Sequence, residues 1–433
     1  MQYPIQESKL GIIKKTRRLH EKNPIPENLV GYSAEVNDIS HYYNWEPDIV
    51  GTGFFFDKQS AKEMAIGEAI ERYCGNFIPD NLYFSSEEDL KAQNLSFISH
   101  NELFPFSSTQ ENINKYFKKI KSDEKSYWIQ GKNLKNNNQI LIPAPYVYLN
   151  FNKYFPESYS QPVLLSGIAA ERTLDNAIQN SLLEIIERDT TMLWWLANED
   201  TYEIILDKHL ENEIGQYPEY IHLEFFLIHN DFSVYVVGCK LVDTKNKFIC
   251  IGFSSKLSLK RAIKKAAAEA FQLRKFSLDL IDQNSFIWKE NMYDKILGLK
   301  KFRENRNYLD SFNKNFEDFT SLMHNVQYYL DTRTWKAIEH KFNHKKKLKY
   351  TKLINNLKKD EIINNILNSE NFFYVDLTTE DVERLGYKVV RVISPNMCPN
   401  LPNAFPPLGN KRLDKQLKKY NMKDFNPLPL PHS

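Results

Sequence analysis

The stretch LDNAIQNSLLEIIERD, residues 174–189, decides how the rest of this chain is read. With about 100° between successive residues of a helix, Ala177, Ser181, Glu184 and Arg188 fall in one narrow stripe, with Glu187 on its flank. Ile178, Leu182, Leu183, Ile185 and Ile186 occupy the remaining faces, so the helix is apolar nearly all round and is expected to be buried. Acids and a base carried inside in this way need partners or a ligand.

The spacing recurs. Ala61, Ala65, Glu68, Glu71 and Arg72 keep the same offsets, and Ala262, Ala266, Glu269 and Gln272 keep them a third time, with Leu273 in the arginine's place and Arg274 one residue late. Each copy follows a short apolar run near glycine: DIVGTGFFF, VLLSGIAA and FICIGFSS. The unit reads as strand, turn, helix, near 51–75, 163–190 and 248–275. The fold class is mixed α/β, with three related units.

At 433 residues the chain exceeds a single core, so several lobes or one large inserted α/β domain is expected. An N-terminal arm over 1–50 precedes the main domain at 51–433, which carries a Lys/Asn-rich segment at 281–370 and a Pro-rich tail at 426–433. Between the first two units, SYWIQG and ILIPAPYVYL read as strands. Later, HLEFFLIHN and FSVYVVGCKLVD read as paired strands, and FFYVDLT and YKVVRVI as the last ones. MLWW follows the second helix, with Trp194 and Trp195 as packing residues. The basic run at His344–Lys349 reads as a solvated helix face, and Lys14, Lys15, Arg17 and Arg18 as a solvated cluster. Pro427, Pro429 and Pro431 fix an extended tail.

Net charge is +2, from 57 basic and 55 acidic residues, which gives no support to nucleic-acid binding. No apolar run is long enough to span a bilayer and the N-terminus lacks a signal-peptide centre, so a cytoplasmic protein is expected. Four scattered cysteines without C-x-x-C spacing point to reduced, buried thiols. The chain is compatible with a homodimer, on which the sequence is silent.

One E-x-x-E-R would mean little, because acid–base pairs four apart are common helix stabilisers. Three copies on apolar helices are different. Converging, they would gather the carboxylates of Glu68, Glu71, Glu184, Glu187 and Glu269 against Arg72, Arg188 and Arg274. Such an oxygen-rich set suits Mg²⁺ bridging to phosphates, and arginine forks suit phosphate oxygens. The competing reading is a ligand-free ion-pair network that fixes the packing of three helices. No G-x-x-x-x-G-K-[ST], H-E-x-x-H or G-x-S-x-G occurs, and Gly51-Thr52-Gly53 lacks the third glycine of a dinucleotide fingerprint. His222 and His229, in an apolar strand region, read as satisfied core or edge residues rather than ligands.

At these residues the sequence resembles the YcaO family. TGFFFDKQSAKEMAIGEAIERYC, SGIAAERTLDNAIQNSLLEIIERD and AAAEAFQLR look like its three ATP-site motifs in order, and the likeness runs from about Gly51 to the C-terminus. NPLPLP resembles the PxPxP end of azoline-forming cyclodehydratases, and FEDFTSLMHNVQYY resembles a segment of the streptolysin-type D-proteins. The resemblance implies ATP- and Mg²⁺-dependent cyclodehydration of Cys, Ser or Thr in a ribosomal precursor peptide. Glu68, Glu71, Glu184, Glu187, Glu269 and Gln272 would hold metal and nucleotide, with Arg72, Arg188 and Arg274 supporting phosphates or acids. It further implies a separate leader-binding partner protein and a flavin-dependent azoline dehydrogenase as a third component. Met64 and Leu165-Ser166-Gly167 depart from the family pattern, and His432 and Ser433 follow the PxPxP end. The catalytic base is left open between the carboxylate of Ser433, His432 and neither. Thioamide or amidine formation, and a non-catalytic peptide-binding scaffold, are the alternatives.

Overall fold

Two of the three strand–helix units owe their geometry to glycine facing alanine. The computed structural model describes residues 11–20, 23–37, 50–110, 119–155, 164–289, 292–354 and 357–433. Strands β1 (Ile13–Leu19), β2 (Val30–Val36) and β3 (Val50–Phe55) form an antiparallel meander, and helix α1 (Lys58–Asn76) follows, capped by Asp57, which accepts from the Ser60 N–H. A methyl group on Gly51 would lie 2.2 Å from the Ala65 carbonyl oxygen, and one on Gly53 would lie 2.3 Å from that of Ala61. Helix backbone therefore rests on strand backbone, an approach that only glycine in the strand and small residues on the helix permit. The basic cluster of the first strand is exposed, with Lys14 and Arg17 facing Glu35.

A second sheet runs in the order β4 (Tyr83–Ser85), β5 (Ser126–Asn133), β13 (Phe373–Asp376), β14 (Lys388–Ile393), β7 (Ile168–Glu171), and β6 (Gln139–Pro143) also pairs with β5. The expected strand ILIPAPYVYL stops at Pro143 and turns into a 3-10 segment at Ala144–Tyr146, since Pro143 and Pro145 offer no N–H to a ladder. The third sheet has the order β11 (Phe248–Lys256), β10 (Tyr235–Asp243), β9 (Ile221–Ile228), β8 (Thr201–Ile205), β12 (Lys346–Lys349). Here the basic run departs from expectation: it is an edge strand parallel to β8, not a helix face. Its backbone bonds to β8, Leu348 is half-buried and the lysines stay in solvent, where they discourage further pairing.

Helix α2 (Leu174–Ala197) is the central element. Thr173 caps its start, and it runs through MLWW rather than stopping before it, ending at Asn198 with a φ of 59°. Nothing between Thr190 and Ala197 breaks a helix, and Trp194 packs on Phe226 and Phe253. Helix α3 (Leu259–Ile281) lies on β11, where a methyl group on Gly252 would sit 2.2 Å from the Ala266 carbonyl oxygen. The first and third units are thus built alike. The second differs, because β7 is short and α2 also packs against β14 and β11. One apolar cluster joins α2, α3 and the third sheet, while a second joins α1, the meander and the second sheet. All four cysteines are free and buried, and among the described residues no helix is long and apolar enough to cross a membrane.

Candidate active site

The glutamates of α1 and α2 end on backbone amides in or beside the strands of all three units. Glu68 accepts from the Thr52 N–H at 2.7 Å on its own strand, and Glu184 from the Gly167 N–H at 2.9 Å at the start of its own. The second acid of each pair reaches onward. Glu71 accepts from the Ala170 N–H of β7 at 2.9 Å, and Glu187 from the Ser255 N–H of β11 at 2.7 Å. In the third unit Gln272 occupies the second-acid position, and its Nε2 donates to the Thr52 hydroxyl at 2.9 Å, back on β3. Unit one thereby touches two, two touches three, and three touches one. The convergence that sequence could only suppose is a closed ring.

Cations are distributed around that ring. Arg72 donates to Glu68 at 2.7 Å, Arg188 lies 3.7 Å from Glu184 and 3.6 Å from Glu187, and Lys265 lies 3.2 Å from Glu269. Burial, reinforced by the charges of Glu184 and Glu68, pushes the Glu71 carboxyl up to about 8, although the Ala170 amide and Arg72 pull the other way. Burial likewise raises Glu187 against the pull of Arg188. Burial opposes ionisation of Glu269 too, but the charges of Lys265 and Arg188 favour it, and that carboxyl is held below its ordinary value.

The tail enters the same place. Pro431 O accepts from the Ile251 N–H at 2.7 Å, Leu428 O accepts from the Trp195 indole at 2.6 Å, and Pro429 O accepts from the Tyr329 hydroxyl. His432 donates from Nδ1 to Ile251 O at 2.9 Å and accepts at Nε2 from Arg188 at 2.7 Å, while Asn325 donates to its carbonyl at 3.0 Å. Burial and Arg188 lower His432 to about 4, so the ring is neutral. Asn325 and Tyr329 belong to FEDFTSLMHNVQYY, which makes that segment the clamp on the tail. Pro427 is exposed, Pro429 and Pro431 are buried, and Ser433 is half-buried beside His432.

Arg274 does not join the ring. It is 1% exposed, donates to Asp243 at 2.9 Å and to Pro24 O at 2.9 Å, and lies on a different face of α3 from Glu269. One residue of displacement turns a side chain by about 100°, enough to send this arginine elsewhere. Thr52 and Lys265 had no place in the expected site. Lys265 had a signal, four residues before Glu269; Thr52, the hub between Glu68 and Gln272, had none.

The donors fit a metal nucleotide. They are carboxylate oxygens, which hard cations prefer, and Glu71 is enclosed with more negative than positive charge around it. Among the described residues no three acidic, His or Cys side chains are grouped to hold a bare ion. Mg²⁺ commonly takes one or two carboxylates together with phosphate oxygens, which is the kind of site the ring offers.

The model of the YcaO cyclodehydratase family, described as ATP- and Mg²⁺-binding, matches residues 52–398. No curated protein sequence matches. Among solved structures, a heterocyclase in complex with substrate and cofactor is similar over 97% of this chain at 18% identity and a TM-score of 0.65. This chain covers 55% of that protein's length. YcaO from Methanopyrus kandleri, bound with AMPPCP and Mg²⁺, is similar over 92% of this chain and 91% of its own, at 15% identity and a TM-score of 0.58. A chain of the E. coli microcin synthetase McbBCD complex is similar over 96% of both chains, at 15% identity and a TM-score of 0.60.

Proposed function

The chain belongs to the YcaO family of ATP- and Mg²⁺-binding cyclodehydratases, and we propose that it forms thiazoline or oxazoline rings from Cys, Ser or Thr in a ribosomally made precursor peptide. The observation that carries this reading is the closed ring of Glu68, Glu71, Glu184, Glu187 and Gln272 with the tail threaded to its edge. In cyclodehydration a thiol or hydroxyl adds to the preceding amide carbonyl and the former carbonyl oxygen must leave. Mg²⁺-ATP, when bound, supplies the phosphoryl group that makes that oxygen a leaving group. The net change in the peptide is loss of one water and gain of a C=N bond.

In this reading Glu68, Glu71, Glu184, Glu187 and Glu269 would hold the metal, and Gln272 sets the register of α3 against β3. Arg72 and Arg188 would receive phosphate oxygens and offset their charge. Arg274 has no such role. His432 accepts a hydrogen bond from Arg188 and so orients its guanidinium, while the protein around Phe253 excludes water from the pair. A separate leader-binding protein would present the precursor, a proposal supported by the likeness to a chain of the microcin synthetase complex.

The test is to incubate this protein, its partner and precursor with ATP and Mg²⁺ and to measure peptide mass. Loss of one water per modified residue is expected. An exchange of oxygen for sulfur, or an unchanged mass, would overturn the proposal.

A further inference from the structure

Resting on that reading, we propose that the cleft on the other side of Arg188 holds the backbone of the substrate peptide, with Arg391 receiving a carbonyl oxygen. The cleft is narrow, with a cavity volume of about 50 Å³, and is lined by Leu103, Tyr146, Leu164 and Met397 together with Arg188 and Arg391. Arg188 also lies beside Glu184, Glu187 and His432, so whatever occupies the cleft lies next to the acid ring.

Arg391 makes this more than a surface hollow. It stands on β14, is 2% exposed, and donates from Nη2 to Leu164 O at 2.7 Å, while Nε and Nη1 are buried without a partner. The Ser394 hydroxyl, also lining the cleft, is buried and unpartnered as well. Donors left unmet inside a protein are costly, and a guanidinium fork matches acceptor oxygens. Both a peptide carbonyl and free phosphate present such oxygens. The walls decide between them: leucine, methionine and tyrosine surfaces suit the side chains that accompany a peptide backbone and contribute nothing to a phosphate ion.

The experiment measures binding of acetyl-Leu-Gly-Cys-Gly-amide, of inorganic phosphate and of Mg²⁺-ATP to the full chain by saturation-transfer NMR and calorimetry. Arg391→Gln keeps one amide donor for Leu164 O but loses the two free ones. Its expected result is peptide affinity weakened about tenfold or more, as for hydrogen bonds to a charged group, with Mg²⁺-ATP affinity unchanged. Leu164→Trp, which fills the cleft and leaves its carbonyl in place, should weaken the peptide in the same way; it keeps the test open should Arg391→Gln fail to fold. Peptide affinity unchanged in both folded variants, equal loss of peptide and Mg²⁺-ATP, or loss confined to phosphate would each overturn the proposal. If the peptide binds as expected but the full precursor loses no water with ATP, the cyclodehydratase reading fails and the cleft stands.

Discussion

Gly252→Ala is predicted to destabilise the protein and disable the acid ring, although alanine is the better residue by backbone entropy. The added methyl would lie 2.2 Å from the Ala266 carbonyl oxygen and 2.3 Å from the Ala270 nitrogen. Both are backbone atoms of α3, so no side chain can turn away. Reaching the 3.4 Å of ordinary contact requires the helix to move by about 1.2 Å. Overpacking of this kind costs about 1–3 kcal/mol, and backbone on both sides places it at the upper end. The loss of unfolded-state freedom returns only about 0.4–1 kcal/mol, leaving a net loss of about 2 kcal/mol. The same shift displaces Glu269 and Gln272, and misplacement by 1 Å can cost about a hundredfold in rate. The assay is urea unfolding with the slope unchanged and the midpoint lowered, followed by ATP turnover of the folded fraction. Gly67→Ala is the control. There the nearest atom lies 3.8 Å from the new methyl, in the interior of α1, so a gain of about 0.5–1 kcal/mol is expected. A neutral or stabilising Gly252→Ala, or both variants moving the same way, would refute the reasoning.

Other expectations follow from the buried charges. Glu187→Gln keeps an acceptor for the Ser255 N–H and removes a charge that burial disfavours, so it should fold at least as well as the parent while ATP turnover falls about a hundredfold or more; retained turnover would return these acids to a structural role. Arg274→Met strands Asp243 and should cost about 3–5 kcal/mol in urea unfolding, with Mg²⁺-ATP affinity per folded molecule unchanged; a selective loss of nucleotide would restore the arginine to the site. Lys341, buried at the end of α2 against Trp194 O, is lowered by burial to about 7 from an ordinary 10.5. Between those values the unfolded chain holds the proton that the folded one has released, so this residue makes stability rise with pH by at most about 1.4 kcal/mol per unit. Urea midpoints at pH 7, 8 and 9 should show a rise that Lys341→Met flattens.

The pattern of small residue, small residue, acid, acid was legible because it is local. Ala61 and Ala65, like Ala262 and Ala266, announce a helix that must approach a strand closely, and Gly51, Gly53 and Gly252 supply the strand's half of that contact. The apolar surround of Glu187 likewise said that its charge was inside, while Glu184 stays part-exposed at the rim. Helix length was less legible: α2 ran on through Trp194 and Trp195 because continuing buried more apolar surface than stopping would have. The lysine run became a strand because β8 offered it a partner, which no local propensity records.

What the sequence by itself determined is therefore the set of units and the chemistry they carry, since both follow from spacing along one helix and one strand. Only the tertiary structure decided which acid meets which strand. Glu71 and Ala170 are 99 residues apart, Gln272 and Thr52 are 220 apart, and Arg188 and His432 are 244 apart. Contacts at such separations are set by how whole sheets pack, and a side chain one position out of register, as with Arg274, is carried by the helix to a different partner altogether.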